Sequence, residues 1–308
     1  MRNRLSEGDV TIRTAIEADL GLAKKIARSG LDLDTEDAAD VPKYLWNEES
    51  GTERVRLFGL LDKTAVGLAI GSIQGQEAFL DLIIVVPEAR RRGLGNYLLR
   101  AWEEAATVRG VKRLRVGENL RAYAWPGVDI RYTPAVCLFL GSGYERTRVV
   151  YNMDLALHER LGPDARQLDG MAKAGVTVRR AEQSDREMLS AYVGTHWSRV
   201  WQREILLSIE RYPATAFVAL RGRAVVGFAA HGVYRPSLYG PIATDPSEQG
   251  AGIGSVLSRL CLEDMAASGV ATAQIGWVAE DAIPFYSRTV GARLGRCFWM
   301  FQKSVGEG

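Results

Sequence analysis

The chain has 308 residues, of which 47% are hydrophobic and 25% are charged, and its formal net charge is +2 at pH 7. This length exceeds one typical domain and suits two, each with enough apolar residues for its own core. So small a net charge excludes a global attraction to nucleic acid or to a membrane surface. Recognition of an anion, if it occurs, must be local.

The three cysteines, Cys137, Cys261 and Cys297, are not spaced as zinc ligands or as a disulfide framework. Cys137 and Cys261 have apolar neighbours and are predicted to be buried thiols, as in a reducing compartment. The N-terminus lacks a signal-peptide core, and no run of about 18 apolar residues indicates a membrane span. The sequence therefore predicts a cytoplasmic protein with no metal site, no nucleic-acid partner and no membrane partner.

In the first half of the chain, hydrophobic periodicity and turn residues predict an ordered series of elements. They are a strand at 10–13, a helix at 17–28, strands at 55–61, 65–73 and 77–86, a helix at 94–109, a strand at 112–117, a turn-rich insert at 123–134, a short helix at 135–140 and a strand at 144–155.

The second half predicts nearly the same series without the insert. It has a strand at 176–180, helical segments within 184–210, strands at 216–220, 224–231 and 238–244, a helix at 253–267, a strand at 271–278, a short helix at 282–290 and a strand at 293–303. Each half is therefore predicted to be an α/β unit, a mixed sheet with helices on its faces.

A repeated pattern ties the two halves together. In both, an apolar run leads to a proline, a polar turn and a Gly-x-Gly at a helix start. Three pairs are each 159 positions apart: Pro87 and Pro246, Gly93 and Gly252, and Gly95 and Gly254. The prediction is a duplicated domain, with copies at 1–156 and 175–308 joined by a partly helical linker at 157–174.

The two glycine loops favour a bound phosphate. Glycines let the backbone approach a ligand closely, and a helix start offers unpaired N–H groups at the positive end of a dipole. The alternative is an ordinary strand-to-helix turn with a solvated arginine run. A dinucleotide fold would need a third glycine where Leu98 and Leu257 stand, and a Walker loop would need Gly-Lys-Ser/Thr.

Two motifs carry a family resemblance. The loops Arg90-Arg-Arg-Gly-Leu-Gly95 and Gln249-Gly-Ala-Gly-Ile-Gly254 resemble the acetyl-CoA pyrophosphate signature of the GNAT superfamily of N-acyltransferases. The segment Phe285-Tyr286 before Gly291 resembles a second landmark of that family, and Leu138-Phe139 before Gly143 is its counterpart. The resemblance covers nearly the whole chain, twice. It implies two GNAT-like domains of the α/β (α+β) class, each a mixed, largely antiparallel sheet flanked by helices.

The resemblance also implies an acetyl-CoA-dependent N-acetyltransferase, monomeric or homodimeric, that acts on a primary amine of a small molecule or peptide. The loops would hold the pyrophosphate, and the strands before them would pair with the pantetheine arm. The cofactor-binding residues implied in the first copy are Ile84, Val85, Val86, Arg90, Arg91, Arg92, Gly93, Leu94, Gly95 and Asn96. Those implied in the second copy are Ile242, Ala243, Thr244, Gln249, Gly250, Ala251, Gly252, Ile253, Gly254 and Ser255.

The two copies differ at the position that implies catalysis. Tyr286 stands where the family often places a tyrosine that protonates the leaving thiolate, although an aromatic residue of the core would give the same sequence pattern. The first copy has Phe139 there, which cannot donate a proton, whereas its three arginines favour tighter cofactor binding. The prediction is catalysis in the second copy. Two alternatives stay open: one copy is a non-catalytic CoA-binding or structural module, or the protein is an acyl-CoA sensor.

Several other residues fit either an acceptor site or a purely structural role. They are the acidic segment 32–37, Asp129, Arg131 and Tyr132 in the insert, the helical residues His196, Trp197 and Trp201, and His231, a possible base through water at a strand end.

Overall fold

The computed structural model describes residues 10–35, 37–46, 52–119, 125–157 and 161–306. The chain divides into two compact units: unit 1 comprises Met1–Val149 and Phe298–Gly308, and unit 2 comprises Val150–Cys297. Residues 123 and 124 of the predicted insert lie outside the described residues.

Both units contain strands and helices. The strands are β1 Val10–Thr14, β2 Glu53–Leu61, β3 Thr64–Gln74, β4 Glu77–Val85, β5 Arg113–Val116, β6 Val128–Asp129, β7 Glu145–Ala156, β8 Val176–Arg180, β9 Ala216–Arg221, β10 Ala224–His231, β11 Leu238–Thr244, β12 Thr272–Val278 and β13 Arg293–Ser304. The helices are α1 Leu20–Gly30, α2 Asp40–Trp46, α3 Leu94–Thr107, α4 Thr133–Gly141, α5 Ala165–Lys173, α6 Arg186–His196, α7 Arg199–Ile209, α8 Ile253–Ala267 and α9 Ile283–Val290.

Both units have the predicted mixed, largely antiparallel sheet. In unit 1 the strands run in the order β1-β2-β3-β4-β5-β13, and only β4 and β5 are parallel neighbours among the described pairs. In unit 2 the order is β8-β9-β10-β11-β12-β7, and the parallel pair is β11 with β12. The fold class predicted from the sequence is confirmed.

Helices cover both faces of each sheet because their apolar residues recur every three or four positions. In unit 1, α3 buries Leu94, Leu98 and Trp102 in one core, whereas α1 and α2 pack on the other face around Phe58. In unit 2, α8 and α9 contribute to one core and α6 and α7 to the other, which contains Phe228.

The closing strands differ from the predicted division of the chain. In unit 1, β5 pairs with the C-terminal part of β13, from Val116↔Phe301 to Arg113↔Ser304. In unit 2, β12 pairs with residues 151–156 of β7. The consecutive domains 1–156 and 175–308 are thus replaced by units that exchange their last strands. The predicted linker at 157–174 contains α5, which belongs to unit 2.

Smaller differences concern α2 and β6, which were not predicted, and one cysteine. Cys261 is buried in α8 as predicted, but Cys137 is exposed. It lies on α4, where Val136 and Phe139 face the core, so its apolar neighbours in the sequence do not surround it in space.

Candidate active site

In each unit a pair of parallel strands separates before the glycine loop. The paired residues of β4 and β5 run from Glu77↔Arg113 to Leu80↔Val116, whereas β4 continues to Val85. Those of β11 and β12 are Leu238↔Gln274 and Tyr239↔Ile275, whereas β11 continues to Thr244. Each unit therefore has a gap beside the last residues of one strand.

Backbone groups face these gaps. Val86 N donates to Val66 O at 2.9 Å, and Asp245 N donates to Val226 O at 2.9 Å. Because the peptide groups of successive strand residues point to opposite sides, those of Val85 and Thr244 point into the gaps. Val86 and Asp245 are thus equivalent, so the predicted trios Ile84–Val86 and Ile242–Thr244 are out of register with each other by one residue.

The glycine loops have matching backbone conformations. A 3-10 turn follows each proline, and α3 and α8 then begin after Gly93 and Gly252, whose φ angles are 97° and 86°. In the described part of the chain, no side chain caps either helix. The first N–H groups of both helices are therefore available to an anion. Arg91, with φ of 64°, adopts the left-handed conformation for which the second loop uses Gly250.

The side chains of the predicted loop residues divide into two groups. Leu94 and Ile253 are buried in the cores and can offer only backbone groups to a ligand. The exposed positions of the loops and helix starts are Arg91, Asn96, Gln249, Gly250, Ala251 and Gly252. Arg92, Gly93, Gly95, Gly254 and Ser255 are half-buried. Ser255 Oγ accepts a hydrogen bond from Gln167 Nε2 of α5 at 3.3 Å.

Arg90 has a structural role that the sequence did not reveal. Its Nε donates to Val85 O at 2.9 Å, and its guanidinium also donates to Gly30 O at 2.8 Å and contacts Asp32 at 3.4 Å. At the second loop, Glu248 forms a bidentate pair with Arg221 of β9, with both N–O distances at 2.7 Å. The predicted excess of positive charge at the first loop is therefore smaller than three arginines suggest.

Tyr286 and Phe139 occupy equivalent positions in different surroundings. Phe285 lies against Gly254 as Leu138 lies against Gly95, which matches α9 to α4. The Tyr286 ring packs edge-on against Tyr239, at 6.2 Å between centroids, beside the point where β11 leaves β12. Burial raises the pKa of Tyr286 to about 12, so its hydroxyl stays protonated at neutral pH.

Phe139 is 1% exposed and packs against Tyr144 and Phe301, each at 5.5 Å between ring centroids. It fills the core of unit 1, and its side chain has no group that could donate a proton.

His231 lies in a cluster with Asp264 and Arg180. It is 4% exposed, and its Nε2 lies 2.9 Å from Asp264 Oδ2. Arg180 binds the same carboxylate through two nitrogens. Burial alone would raise the pKa of Asp264, but the hydrogen bonds from Arg180 and His231 outweigh it and lower that pKa well below its usual range. These contacts favour the structural interpretation of His231.

The insert and the acidic segment bind to each other. Asp129 is buried and accepts hydrogen bonds from the backbone and guanidinium of Arg131. Tyr132 donates to Asp34 Oδ2 at 2.9 Å and accepts from Leu33 N at 3.1 Å. With Arg90 on Asp32, these contacts engage the acidic segment within unit 1, which favours the structural interpretation of both features.

The aromatic residues of α6 and α7 form a cluster around Phe228. Trp197 and Trp201 stack at 5.8 Å, and each is edge-on to Phe228. His196 stacks on Tyr192, whose hydroxyl lies 3.4 Å from Asp245 at the end of β11. The cluster packs the core and at the same time reaches the start of the second glycine loop.

Glu204 on α7 is a buried carboxyl that was not singled out in the sequence, where a glutamate on a helix normally indicates a solvated face. It is 5% exposed. Burial raises its pKa to about 7, although a hydrogen bond from Tyr234 lowers it in part. The sequence signal was its place between Trp201 and Ser208, three residues before it and four residues after it on the same helical face.

We expect Glu204→Gln to stabilise the protein at pH 8. Because the pKa is higher in the folded than in the unfolded state, stability falls as the pH rises from 4.5 to about 7. The amide removes this loss and should gain on the order of 2 kcal/mol at pH 8, with no gain at pH 4. Urea unfolding at pH 8 and pH 4 measures the change in the free energy of unfolding, and the exposed Glu210→Gln is the control. An equal change at both pH values would contradict it.

In the described residues, no helix is long and apolar enough to cross a bilayer. Nor do three or more His, Cys, Asp or Glu side chains group there as a metal site.

Comparison with known proteins agrees with these features. A family model described as the acetyltransferase (GNAT) family matches residues 25–125 and 180–292. A mycothiol acetyltransferase from Thermomonospora curvata is 30% identical over 208 residues. That match covers 61% of this chain and 61% of the relative, which is less than two thirds of the relative's length.

Solved structures share the fold over nearly the whole chain. A tandem GNAT protein from the clavulanic acid biosynthesis pathway has a TM-score of 0.68 and 17% identity. The match covers 97% of this chain and 99% of that protein. A GCN5-related N-acetyltransferase from Sphaerobacter thermophilus has a TM-score of 0.70 and 19% identity, with 99% and 98% covered. At these identities the likeness concerns the fold alone. Together with the family match in both halves, it shows that the chain belongs to the GNAT acetyltransferase family, as a tandem of two such domains.

Proposed function

We propose that the protein is an acetyl-CoA-dependent N-acetyltransferase that transfers the acetyl group to a primary amine by direct attack, with the chemistry in unit 2. The observation that carries this is the contrast between Tyr286, which packs beside the gap of unit 2, and Phe139, which is buried in unit 1. In this proposal unit 1 is a non-catalytic CoA-binding module.

The residues around the gaps suit acetyl-CoA. The uncapped N–H groups at the starts of α3 and α8 would bind its pyrophosphate. The peptide groups of Thr244 and the N–H of Val85 would pair with the pantetheine arm as an added strand does, whereas Val85 O already accepts a hydrogen bond from Arg90 Nε. In unit 2, Tyr286 would give its proton to the sulfur as the thioester breaks. Gly254 lets Thr244 and Phe285 pack closely against the start of α8, because a Cβ there would lie 3.2 Å from Thr244 Oγ1 and 3.3 Å from Phe285.

The direct test is release of free CoA thiol from acetyl-CoA in the presence of amines. The panel should contain small polyamines, aminoglycosides, amino acids, peptides with a free N-terminus or lysine, and a mycothiol-related amine because of the relative's name. We expect at least one amine to accelerate thiol release over hydrolysis and to appear as its N-acetyl product by mass spectrometry. If none does, the proposal is wrong.

Matched loop variants should show which unit is active. Gly93 and Gly252 both adopt the left-handed conformation, which a β-branched residue tolerates poorly, at a cost of about 1–3 kcal/mol. We expect Gly252→Val to weaken one CoA-binding event and to raise KM for acetyl-CoA about tenfold or more. Gly93→Val should weaken the other event and leave kcat within about twofold.

Calorimetric titration of CoA and steady-state kinetics on the full chain measure these effects. Isolated halves are unsuitable, since each unit would lose its closing strand. Unchanged turnover in Gly252→Val, with activity lost in Gly93→Val, would place the chemistry in unit 1.

A further inference from the structure

The position of Glu204 follows from how α7 lies along β10. At the start of α7, Trp201 packs on Phe228, with 6.2 Å between ring centroids. At its end, Ser208 O accepts from Thr215 N, and Thr215 O accepts from His231 N. The helix therefore runs in the same direction as β10. Glu204 lies one turn before Ser208, between the levels of Phe228 and His231.

The gap in unit 2 opens at this same position along the strands. In the pairing of β10 with β11, Ala229 is opposite Ile242 and His231 is opposite Tyr239. The residues between them on β11 are Gly240 and Pro241. They directly follow Tyr239, which forms the last described pair with β12. Along the sheet, Glu204 thus lies at the position of Gly240 and Pro241, the first residues of β11 beyond its described pairing with β12.

Glu204 and Tyr286 approach this segment from opposite faces of the sheet. Ile205, next to Glu204, packs in the core formed by α6 and α7. Tyr286 packs with Tyr239 against the core formed by α8 and α9. An acyl group in the gap would have an acidic hydroxyl on one side and a carboxylate on the other. This arrangement suits acyl transfer, because the base must reach the attacking amine whereas the acid must reach the leaving sulfur.

The turn after β10 holds Glu204 in a defined environment. Tyr234 in this turn donates a hydrogen bond to Glu204, and Arg203 is the nearest cation on α7. Arg211 NH2 donates to Val233 O at 3.0 Å, and Arg235 NH2 donates to Gln274 Oε1 of β12 at 2.8 Å, which fixes the turn. His231, at the end of β10, is already bound to Asp264.

We propose that Glu204 is the base that accepts the proton of the acceptor amine in unit 2, directly or through one water molecule. This rests on the proposed acetyl transfer. Glu204 takes one proton from the ammonium group, and the freed nitrogen bonds to the thioester carbonyl carbon. As the carbon–sulfur bond breaks, Tyr286 protonates the sulfur and then recovers a proton from the new amide nitrogen. Glu204 releases its proton to solvent, so the sum is an amide, a thiol and one proton. Its raised pKa, near 7, suits a group that must take and release a proton at neutral pH.

The test compares wild type with Glu204→Gln, Glu204→Asp and the control Glu210→Gln, using an amine that the panel has identified. We expect Glu204→Gln to lower kcat about thirtyfold at pH 7, with KM for acetyl-CoA within about twofold. The acidic limb of the wild-type pH profile near pH 7 should disappear in this variant. Its rate should then rise with pH as the free amine accumulates. Glu204→Asp should recover part of the rate, and Glu210→Gln should behave as wild type.

The outcomes separate this inference from the proposed function. If wild type acetylates an amine and Glu204→Gln keeps its rate and its pH profile, Glu204 is not the base, whereas the acetyltransferase function stands. A rate that falls by the same factor at every pH, with no recovery in Glu204→Asp, would indicate a structural role and overturn the inference. If no amine is acetylated by wild type, both proposals fall together.

Discussion

Tyr286→Phe is expected to lower kcat by about a hundredfold or more, because general acid catalysis contributes about 10²- to 10⁴-fold. The variant loses only the hydroxyl, and the ring can keep its edge-on contact with Tyr239. KM for acetyl-CoA should therefore change little, since the loss falls on the transition state. The wild-type profile should show no loss of activity from Tyr286 below about pH 11, because burial raises its pKa to about 12.

The matched control is Phe139→Tyr, at the equivalent position of unit 1. Phe139 is enclosed by Tyr144 and Phe301, so a hydroxyl there should cost stability and should not create a second active site. Steady-state thiol release and thermal unfolding of both variants give the comparison. A Tyr286→Phe enzyme with wild-type kcat would remove Tyr286 from the mechanism.

The largest expected effect on stability is that of Arg54→Leu in unit 1. Arg54 NH1 lies 2.9 Å from Asp81 Oδ2, and the two side chains are only 1% and 2% exposed. Asn119 Nδ2 also donates to Asp81 Oδ1 at 2.5 Å. Removing the guanidinium leaves a buried carboxylate without its cation, which costs about 3–5 kcal/mol.

This loss should depend on pH and should be reversible by a second change. Burial raises the pKa of Asp81 to about 7 even though Asn119 and Arg54 lower it in part. Without Arg54 that pKa rises further, so Arg54→Leu should lose more stability at pH 8 than at pH 5. Adding Asp81→Asn should restore much of the loss at pH 8.

Denaturant unfolding at both pH values measures these differences. The exposed pair of Arg109 and Glu53, at 2.7 Å, is the control, and Arg109→Gln should cost less than about 1 kcal/mol. Equal losses in Arg54→Leu and Arg109→Gln would contradict the argument.

The elements could be predicted from the sequence because their signals are local. The bounds of α8, β10 and β11 agree with the prediction, since each is a segment rich in apolar residues that is bordered by glycine or polar residues. The choice of partner strand could not be predicted. The alternation that makes β13 a strand is the same whether it pairs in one unit or the other, and only the three-dimensional register decides.

The same limit applies to the candidate site. The glycine loops were recognisable because Gly93 and Gly252 are needed for a left-handed backbone, a requirement visible in the residue type itself. The environments of Arg90, His231 and Glu204 were not recognisable, because each depends on a partner far away in sequence or on burial. Arg90 binds Gly30 O, and His231 binds Asp264. A residue whose type suggests chemistry can therefore have a structural role, and a glutamate expected on a solvated helical face can be buried.

The exchanged closing strands have a consequence for biosynthesis. The pairing of Val116 with Phe301 joins residues 185 positions apart, and contacts of such long range slow folding. On the ribosome, the edge of β5 that pairs with β13 would stay unpaired until nearly all of unit 2 had been translated. An exposed edge invites pairing with other chains. The nascent protein should therefore depend on chaperones for much longer than a protein of two consecutive domains.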